Sequence, residues 1–344
     1  MKVRPWKQRR EVRPVHRVGA VALLGWVLLL ALPAAAQAVL AYERPPTHSA
    51  FEANGEIVVA RDDGAAPHVV TRGMFPTISP DGREVAYFVL GRHGNVSLRA
   101  VGSRGGRSRR LGPATVDESG DFAWSPDSRY VIVGEFASSG AYIVNVDRGT
   151  SRHIPLSCGF GGGSFSPGSS SVVVEDVCGP DPLLAISVRT LGRATLTLNG
   201  ESPQWGRGGI AFTRQSPRGS FRRHLFVIGR PAGHTSLLAT RGSYVAVSWS
   251  ADGRRLLALS GTFDPFDPKY HASIVMPRDG TAEKLTPTFS EVDALSDDGR
   301  EVLAVIGGDR RSLTGKVSGG NIVSVSSGAV RVLAHGGVSA SWTR

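Results

Sequence analysis

Two cysteines, Cys158 and Cys178, are all that 344 residues contain, which excludes a disulfide framework and any cysteine-rich metal centre. In an oxidising compartment the pair allows a single bridge, closing a loop of about twenty residues and stabilising by roughly 3 kcal/mol in the chain-entropy model. A free thiol pair and a metal site with further ligands are the alternatives. Lysine is scarce as well: five of the 40 basic residues, Lys2, Lys7, Lys269, Lys284 and Lys316, a bias that fits GC-rich coding better than selection for one partner. No G-x-S-x-G elbow and no H-E-x-x-H helix is present, and the nine histidines are scattered singly, so no local hydrolytic or metal signature exists. Gly315-Lys316 is followed by Val317 rather than Ser or Thr, which excludes a P-loop, and the glycine-rich stretch Cys158–Ser164 precedes no helix that would aim amides at a phosphate. The residues therefore imply no metal and no cofactor. After residue 42 no segment keeps a helical period over a dozen residues.

What the chain does have begins at its N-terminus. Residues 1–17 carry seven Lys/Arg against one Glu, and the run from Val18 to Tyr42 is uncharged and mostly apolar. A basic head, an apolar middle and Ala36-Gln37-Ala38 match an export signal cut before Val39. The run is also long enough to span a bilayer of about 30 Å, so an uncut anchor helix is the alternative. Arg9-Arg10 lacks the apolar pair of a twin-arginine signal, and no cysteine is placed for a lipid anchor. The reading is a signal peptide or membrane anchor over 1–38, a linker over 39–47, and one folded domain over 48–344. Without the leader, 33 basic residues face 28 acidic ones, a net charge of +5 in place of +11. Scattered over a domain outside the cytoplasm, that charge gives no reason to expect nucleic acid as a partner.

Self-comparison of the rest reveals a recurring phrase: Ile78-Ser79-Pro80-Asp81-Gly82-Arg83, Trp124-Ser125-Pro126-Asp127-Ser128-Arg129, Phe165-Ser166-Pro167-Gly168-Ser169, Trp205-Gly206-Arg207-Gly208, Trp249-Ser250-Ala251-Asp252-Gly253-Arg254, Leu295-Ser296-Asp297-Asp298-Gly299-Arg300, and a truncated Trp342-Thr343-Arg344. The spacing of 40 to 47 residues suits one four-stranded propeller blade. Within the second unit, Tyr130–Val133, Ala141–Val146 and Arg152–Leu156 read as second, third and outer strands, with Pro155 tolerated on the outer edge. The tight Asp-Gly turn supplies the φ > 0 that a hairpin needs. Ser49-Ala50-Phe51, Glu56–Ala60 and His68–Val70 read as second, third and fourth strands with no first strand, while Val338–Trp342 is a first strand with nothing after it. Pairing the two ends removes both open sheet edges. The expected fold is all-β: a seven-bladed β-propeller of four-stranded antiparallel blades, or six if the N-terminal strands only pad the last blade.

The repeated unit resembles that of TolB-like, WD-repeat-like propellers, also found in the propeller domains of prolyl oligopeptidase-like enzymes, and the resemblance covers about residues 48–344. It departs from the pattern at Gly168-Ser169 and at Gly206-Arg207-Gly208, where the Asp is lost. The resemblance implies binding of proteins or other ligands. No stretch is left over for the α/β-hydrolase domain that the peptidases append, and a sialidase-type propeller would show S-x-D-x-G, where here Asp and Gly are adjacent.

Tryptophans 124, 205, 249 and 342 recur at one position, as packing between neighbouring blades requires, and Asp81, Asp127, Asp252 and Asp298 are turn residues on separate blades. One loop breaks the template. Phe263–His271 combines two carboxylates, aromatics and rigid prolines between the second and third strands of the sixth unit, on the same face as both cysteines. Asp264, Phe266, Asp267, Tyr270 and His271 are the candidate contact residues; the bland account is that the aromatics pack the loop on its own blade. The function expected is a non-catalytic binding or interaction module of the bacterial envelope, secreted, periplasmic or held to the outer side of the membrane by its N-terminal helix. Its partner would be an envelope protein, a glycan or a small ligand. The rival is a secreted lyase or hydrolase whose site is assembled at the central channel.

Overall fold

Runs such as Val131-Ile132-Val133 and Val172-Val173-Val174 follow the repeated turns, β-branched and apolar at successive positions, which suits strands covered on both faces. The computed structural model shows this architecture. It describes residues 39–46, 54–113, 115–116, 122–135, 140–177, 180–215, 222–229, 235–239, 244–262, 269–286, 288–307 and 319–343. Among these residues there is no helix, and so none long and apolar enough to cross a membrane; the basic and apolar leader lies outside them.

The first strands are β1 (Val39–Arg44), β2 (Gly55–Arg61), β3 (His68–Ile78), β4 (Glu84–Leu90), β5 (Val96–Gly102) and β6 (Arg109–Arg110). Four-stranded antiparallel sheets follow in chain order. One holds β7 (Ala123–Trp124), β8 (Tyr130–Gly134), β9 (Gly140–Asn145) and β10 (Thr150–Pro155). The next holds β11 (Phe160–Phe165), β12 (Ser171–Asp176), β13 (Leu183–Ser187) and β14 (Arg193–Thr197). Then come β15 (Glu201–Gly206), β16 (Gly209–Gln215), β17 (Arg223–Ile228) and β18 (Thr235–Ala239), and after them β19 (Tyr244–Trp249), β20 (Leu256–Thr262), β21 (Lys269–Met276) and β22 (Thr281–Lys284). The last full set is β23 (Glu291–Leu295), β24 (Val302–Ile306), β25 (Gly320–Ser326) and β26 (Ala329–Gly337), and β27 (Ser339–Thr343) ends the described chain.

β27 returns to the N-terminal strands, in the order β27-β1-β2-β3-β4-β5-β6. This wide sheet is two four-stranded ladders sharing one strand: the start of β3 pairs with β2 and its end with β4. The first strands of successive ladders touch in a closed circuit, β7 to β11, β15, β19, β23, β27 and β3, and Trp124 Nε1 completes it by donating to Thr77 O on β3 at 3.1 Å. The core lies between neighbouring sheets. Leu40 and Tyr42 face Leu303, Val305 and Trp342 on one side, while Ala41 faces Ile78, Val85 and Tyr87 on the other. Val58 and Trp342 share the first of these clusters, so the latch between the chain's ends is made as the strand patterns require.

One strand differs from the sequence reading. The place between β27 and β2 is taken by β1, within the stretch 39–47 read as a linker, whereas Ser49-Ala50-Phe51 lies outside the described residues. The reason is local: Val-Leu-Ala-Tyr continues the apolar run of the leader without a break in charge, so strand and leader merge in the sequence. Glu56–Ala60, by contrast, falls within β2, and His68–Val70 opens β3.

The repeated phrase builds one small device. In four turns the Ser Oγ donates to the Asp Oδ1 two residues on, at 2.6–2.7 Å, and the same carboxylate accepts the N–H of the Arg after it. Where Ser replaces Gly, the left-handed backbone remains, with φ 60° at Ser128 and 56° at Ser169. That conformation is unfavourable for a residue with a Cβ. The hydroxyls offset the strain by accepting the N–H of Asp81 and Asp127 in the preceding turn, at 3.0 and 3.1 Å. Two of the recurring tryptophans also tie neighbouring ladders through Nε1: Trp124, as above, and Trp249, which donates to Gln204 O at 3.0 Å.

Candidate functional site

The innermost strand of each ladder has one edge paired with its second strand and one edge bare. Bare N–H groups away from water need partners. Here the partners are side chains of the neighbouring sheet: Ser341 Oγ accepts from Ile78 N at 2.8 Å, Ser164 Oγ from Trp205 N at 3.0 Å, and Ser248 Oγ from Leu295 N at 2.9 Å.

At the end of the sheets opposite the Ser-Pro-Asp-Gly turns, carboxylates do the same work. Glu43 near the end of β1 and Glu175 near the end of β12 stand in equivalent registers, opposite Ser339 and Gly162. Both are buried, at 1% and 8% exposure, so they need partners. Glu43 Oε2 accepts the N–H of Phe75 at 3.0 Å, and Glu175 Oε2 that of Ser202 at 2.9 Å. Both donors sit in a bulge of the next inner strand with left-handed backbone, φ 52° and 50°. The strained peptides are held by carboxylates from the preceding sheet, and Phe75 remains partly exposed.

Burial pushes the Glu175 carboxyl up to about 7, helped by the negative charges of Glu201 and Asp181 and opposed by the Ser202 N–H and Arg223. Glu201 itself is ion-paired with Arg223. Beside them a cavity of about 70 Å³ is lined by Asp181, Asn199, Glu201, Arg214 and Gln215. Its arginine is already committed: Arg214 donates to Thr197 Oγ1 and Asn199 O, and its guanidinium lies 4.9 Å from the Phe226 ring centroid. Asp293, on β23, is raised well above the ordinary carboxylate range by burial and then by Glu291, and its Oδ1 lies 3.4 Å from Ala340 N. On the rim, Glu135 accepts from Tyr142 Oη at 2.7 Å and meets His153 Nε2 at 3.0 Å; a Cβ at Gly140 would collide with both Glu135 and His153. At the opposite end, an open depression of about 340 Å³ is lined by the turn residues Ser79, Asp81, Arg83 and Ser128 with Glu84, Gly102 and Asp147.

Of the residues singled out in the sequence, Asp264, Phe266 and Asp267 lie outside the described residues. The strands that flank their loop fix where it leaves the sheet: Thr262 pairs with Lys269, at the end that also carries Glu43 and Glu175. Tyr270 pairs with Gly261 in β21, and His271, opposite Ser260, is half-buried with an Nδ1 that has no partner among the described residues. Asp176 fixes the first cysteine, accepting the N–H groups of Ser157 and Cys158 at 2.7 and 3.1 Å, whereas Cys178 lies outside the described residues. Among the described residues no group of three His, Cys, Asp or Glu side chains is arranged to hold a metal ion. Sequence reasoning missed Glu43, Glu175 and Asp293. The first two carried a signal, an acid at the same step after each apolar run once the repeats are put in register.

Antiparallel sheets whose first strands close on themselves, with cores between neighbours, define the β-propeller fold. Solved structures agree. TolB from Acinetobacter baumannii superposes with a TM-score of 0.55 at 15% identity, over 89% of this chain and 83% of that one. An oligogalacturonate lyase in complex with manganese gives 0.58 at 12%, over 86% and 83%. Pyrococcus horikoshii acylaminoacyl peptidase gives 0.58 at 11%, over 82% of this chain and 48% of the peptidase. The structural neighbours are thus TolB-like propellers and peptidase propeller domains, as the repeated phrase led one to expect. No protein-family model matches the sequence, and neither does any curated protein.

Proposed function

We propose that the chain is a seven-bladed, non-catalytic binding propeller exported to the bacterial envelope, built from six complete repeats and one composite blade that joins β27 to β1, β2 and the start of β3. The observation that carries this reading is the use made of the buried carboxylates. Glu43 and Glu175 are spent on backbone N–H groups of the next sheet rather than presented to a substrate. TolB among the structural neighbours supports the same reading. A rigid ring would offer the loops at this end to an envelope protein, a glycan or a small ligand with little reorganisation. The loop carrying Asp264, Phe266 and Asp267, with Tyr270 and His271 behind it, is the proposed contact element.

Replacing Asp264, Asp267 and Tyr270 together by Ala is expected to weaken capture of the co-purifying envelope partner at least tenfold, with the unfolding transition unchanged. Cross-linking and affinity capture from membrane extracts measure it, and undiminished capture removes the loop from the reading. Cys158 and Cys178 are proposed to be bridged, tying the edge of one blade to the next at the same end. Thiol titration of the unfolded, unreduced protein is then expected to find no free thiol, and two after reduction.

The rival reading, a secreted lyase or hydrolase, draws on the lyase neighbour and on the Glu135–His153–Tyr142 cluster, a histidine held by a carboxylate at the rim. Turnover of an oligosaccharide or peptide that His153→Gln abolishes would replace the binding reading.

A further inference from the structure

The net charge read above as scattered is gathered on one blade. Residues 74–116 hold seven arginines against Asp81 and Glu84, a net +5 that equals the charge of the whole chain without its leader, so the rest sums to zero. No acid stands between Val85 and Val116. The arginines concentrate where β5 turns into the outermost strand β6, in Gly102-Ser103-Arg104-Gly105-Gly106-Arg107-Ser108-Arg109-Arg110. Three equivalent turns carry acids of their own: Arg61 is followed by Asp62 and Asp63, Arg148 is preceded by Asp147, and Arg278 is followed by Asp279.

The turn is pinned at several points. Ser103 N donates to Arg83 O and Gly105 N to Gly102 O, both at 2.8 Å, and His68 Nε2 meets Ser103 O at 3.1 Å. Arg109 is spent on the fold, gripping both oxygens of Glu84 at 2.5 and 2.6 Å, and Arg99 donates to Ser108 Oγ and O at 2.8 and 3.2 Å. Arg104, Arg107 and Arg110 remain, all exposed, with no acid paired to them among the described residues. Arg110 stands directly opposite Arg99 in the ladder, a like-charge pairing that costs stability and that a bound anion would relieve. Gly105 and Gly106, at φ 89° and 114°, have open space where a side chain would stand, so the approach is clear. The neighbouring depression does not favour an anion, since Asp81, Glu84 and Asp147 line it. The turn itself contains only Gly, Ser and Arg: it has no aromatic platform for a neutral sugar and no apolar side chain to enter a bilayer. What it offers is guanidinium forks, which suit carboxylate and phosphate groups. We propose that this blade edge binds a linear acidic polysaccharide of the envelope, whose repeated anionic groups run past Arg104, Arg107 and Arg110. A flexible chain can follow a convex edge and meet all three, whereas a flat bilayer meets only its tip. The proposal rests on the export reading above and adds a second contact surface, at the end of the sheets opposite the 263–271 loop.

The test maps the contact on the full chain in detergent. Arginine modification by phenylglyoxal, read peptide by peptide, is expected to slow roughly tenfold at Arg104, Arg107 and Arg110 when alginate is added at low salt, and to recover in high salt. Neutral dextran should change nothing. Arg129, Arg148 and Arg254, exposed at the same end with Asp127, Asp147 and Asp252 beside them in sequence, are expected to react at one rate throughout. Basic residues of the leader fall on separate peptides and do not enter the comparison. Equal protection at all six arginines would reduce the effect to net charge, and no protection, or protection by dextran, would overturn the site. Stronger protection by phosphatidylglycerol in the micelles than by alginate would overturn the polysaccharide in favour of a lipid. Fractionation of the producing bacterium tests export independently: a cytoplasmic chain with the protection intact would overturn the export reading and the envelope source while the site stands.

Discussion

At pH 8, Glu175→Gln is expected to be more stable than the parent by about 3 kcal/mol, and at pH 4 the two are expected to match. Glu175 is 8% exposed and its carboxyl is pushed up to about 7 from an ordinary 4.5, by burial first and then by Glu201 and Asp181. Below the ordinary value both folded and unfolded chains carry the proton, and the site costs nothing extra. As pH rises toward 7 the unfolded chain releases its proton while the folded chain retains it, so stability falls with pH; above 7 the loss is complete. Gln keeps a carbonyl oxygen for the Ser202 N–H and has no proton to lose. Urea unfolding at the two pH values measures the difference. A parent and a variant with parallel pH profiles would show that Glu175 is solvated in the folded state.

The second large effect concerns a departure from the repeat. Gly206→Val is expected to cost about 3 kcal/mol or more through overpacking, because the site has no space for a side chain. A Cβ there would fall 2.6 Å from the Cβ of Trp249 and against its ring, and one on Gly208 would meet the same ring and the carbonyl of Gly253. The missing Ser-Pro-Asp at this turn is thereby explained: the indole of the next inner strand lies over it, anchored by its bond to Gln204 O. In the double variant Gly206→Val with Trp249→Leu, part of the loss should return, since two residues in contact do not act independently. Denaturant midpoints of the four proteins test this. Strict additivity would mean that the ring does not occupy the space.

The recurring turn phrase, the apolar runs and the half-repeat at each end were enough to foresee the stacked sheets, the packing role of the tryptophans and the return of the last strand, because each depends on pairings within about one repeat or on a pattern seen many times. β1 was obscured because a buried strand and a leader are written in the same apolar residues. The carboxylate supports were obscured for another reason: two acids fall in equivalent registers, but what they hold cannot be read from their positions. Glu43 and Glu175 act on amides 32 and 27 residues away on the next ladder, and nothing in a sequence marks a bulge with left-handed backbone at Phe75 or Ser202. The loop at 263–268 stood out through its composition, yet composition says what a loop offers and not what takes it.

Because Val39 and Thr343 are paired partners in an antiparallel ladder, handles fixed beyond these two residues would leave the domain side by side. Tension applied between them would load the ladder one rung at a time, as a zipper opens. A surface attached at one handle only would feel no such peeling. Immobilisation through a single end therefore suits this ring, whereas stretching it between both ends would part it at its seam first.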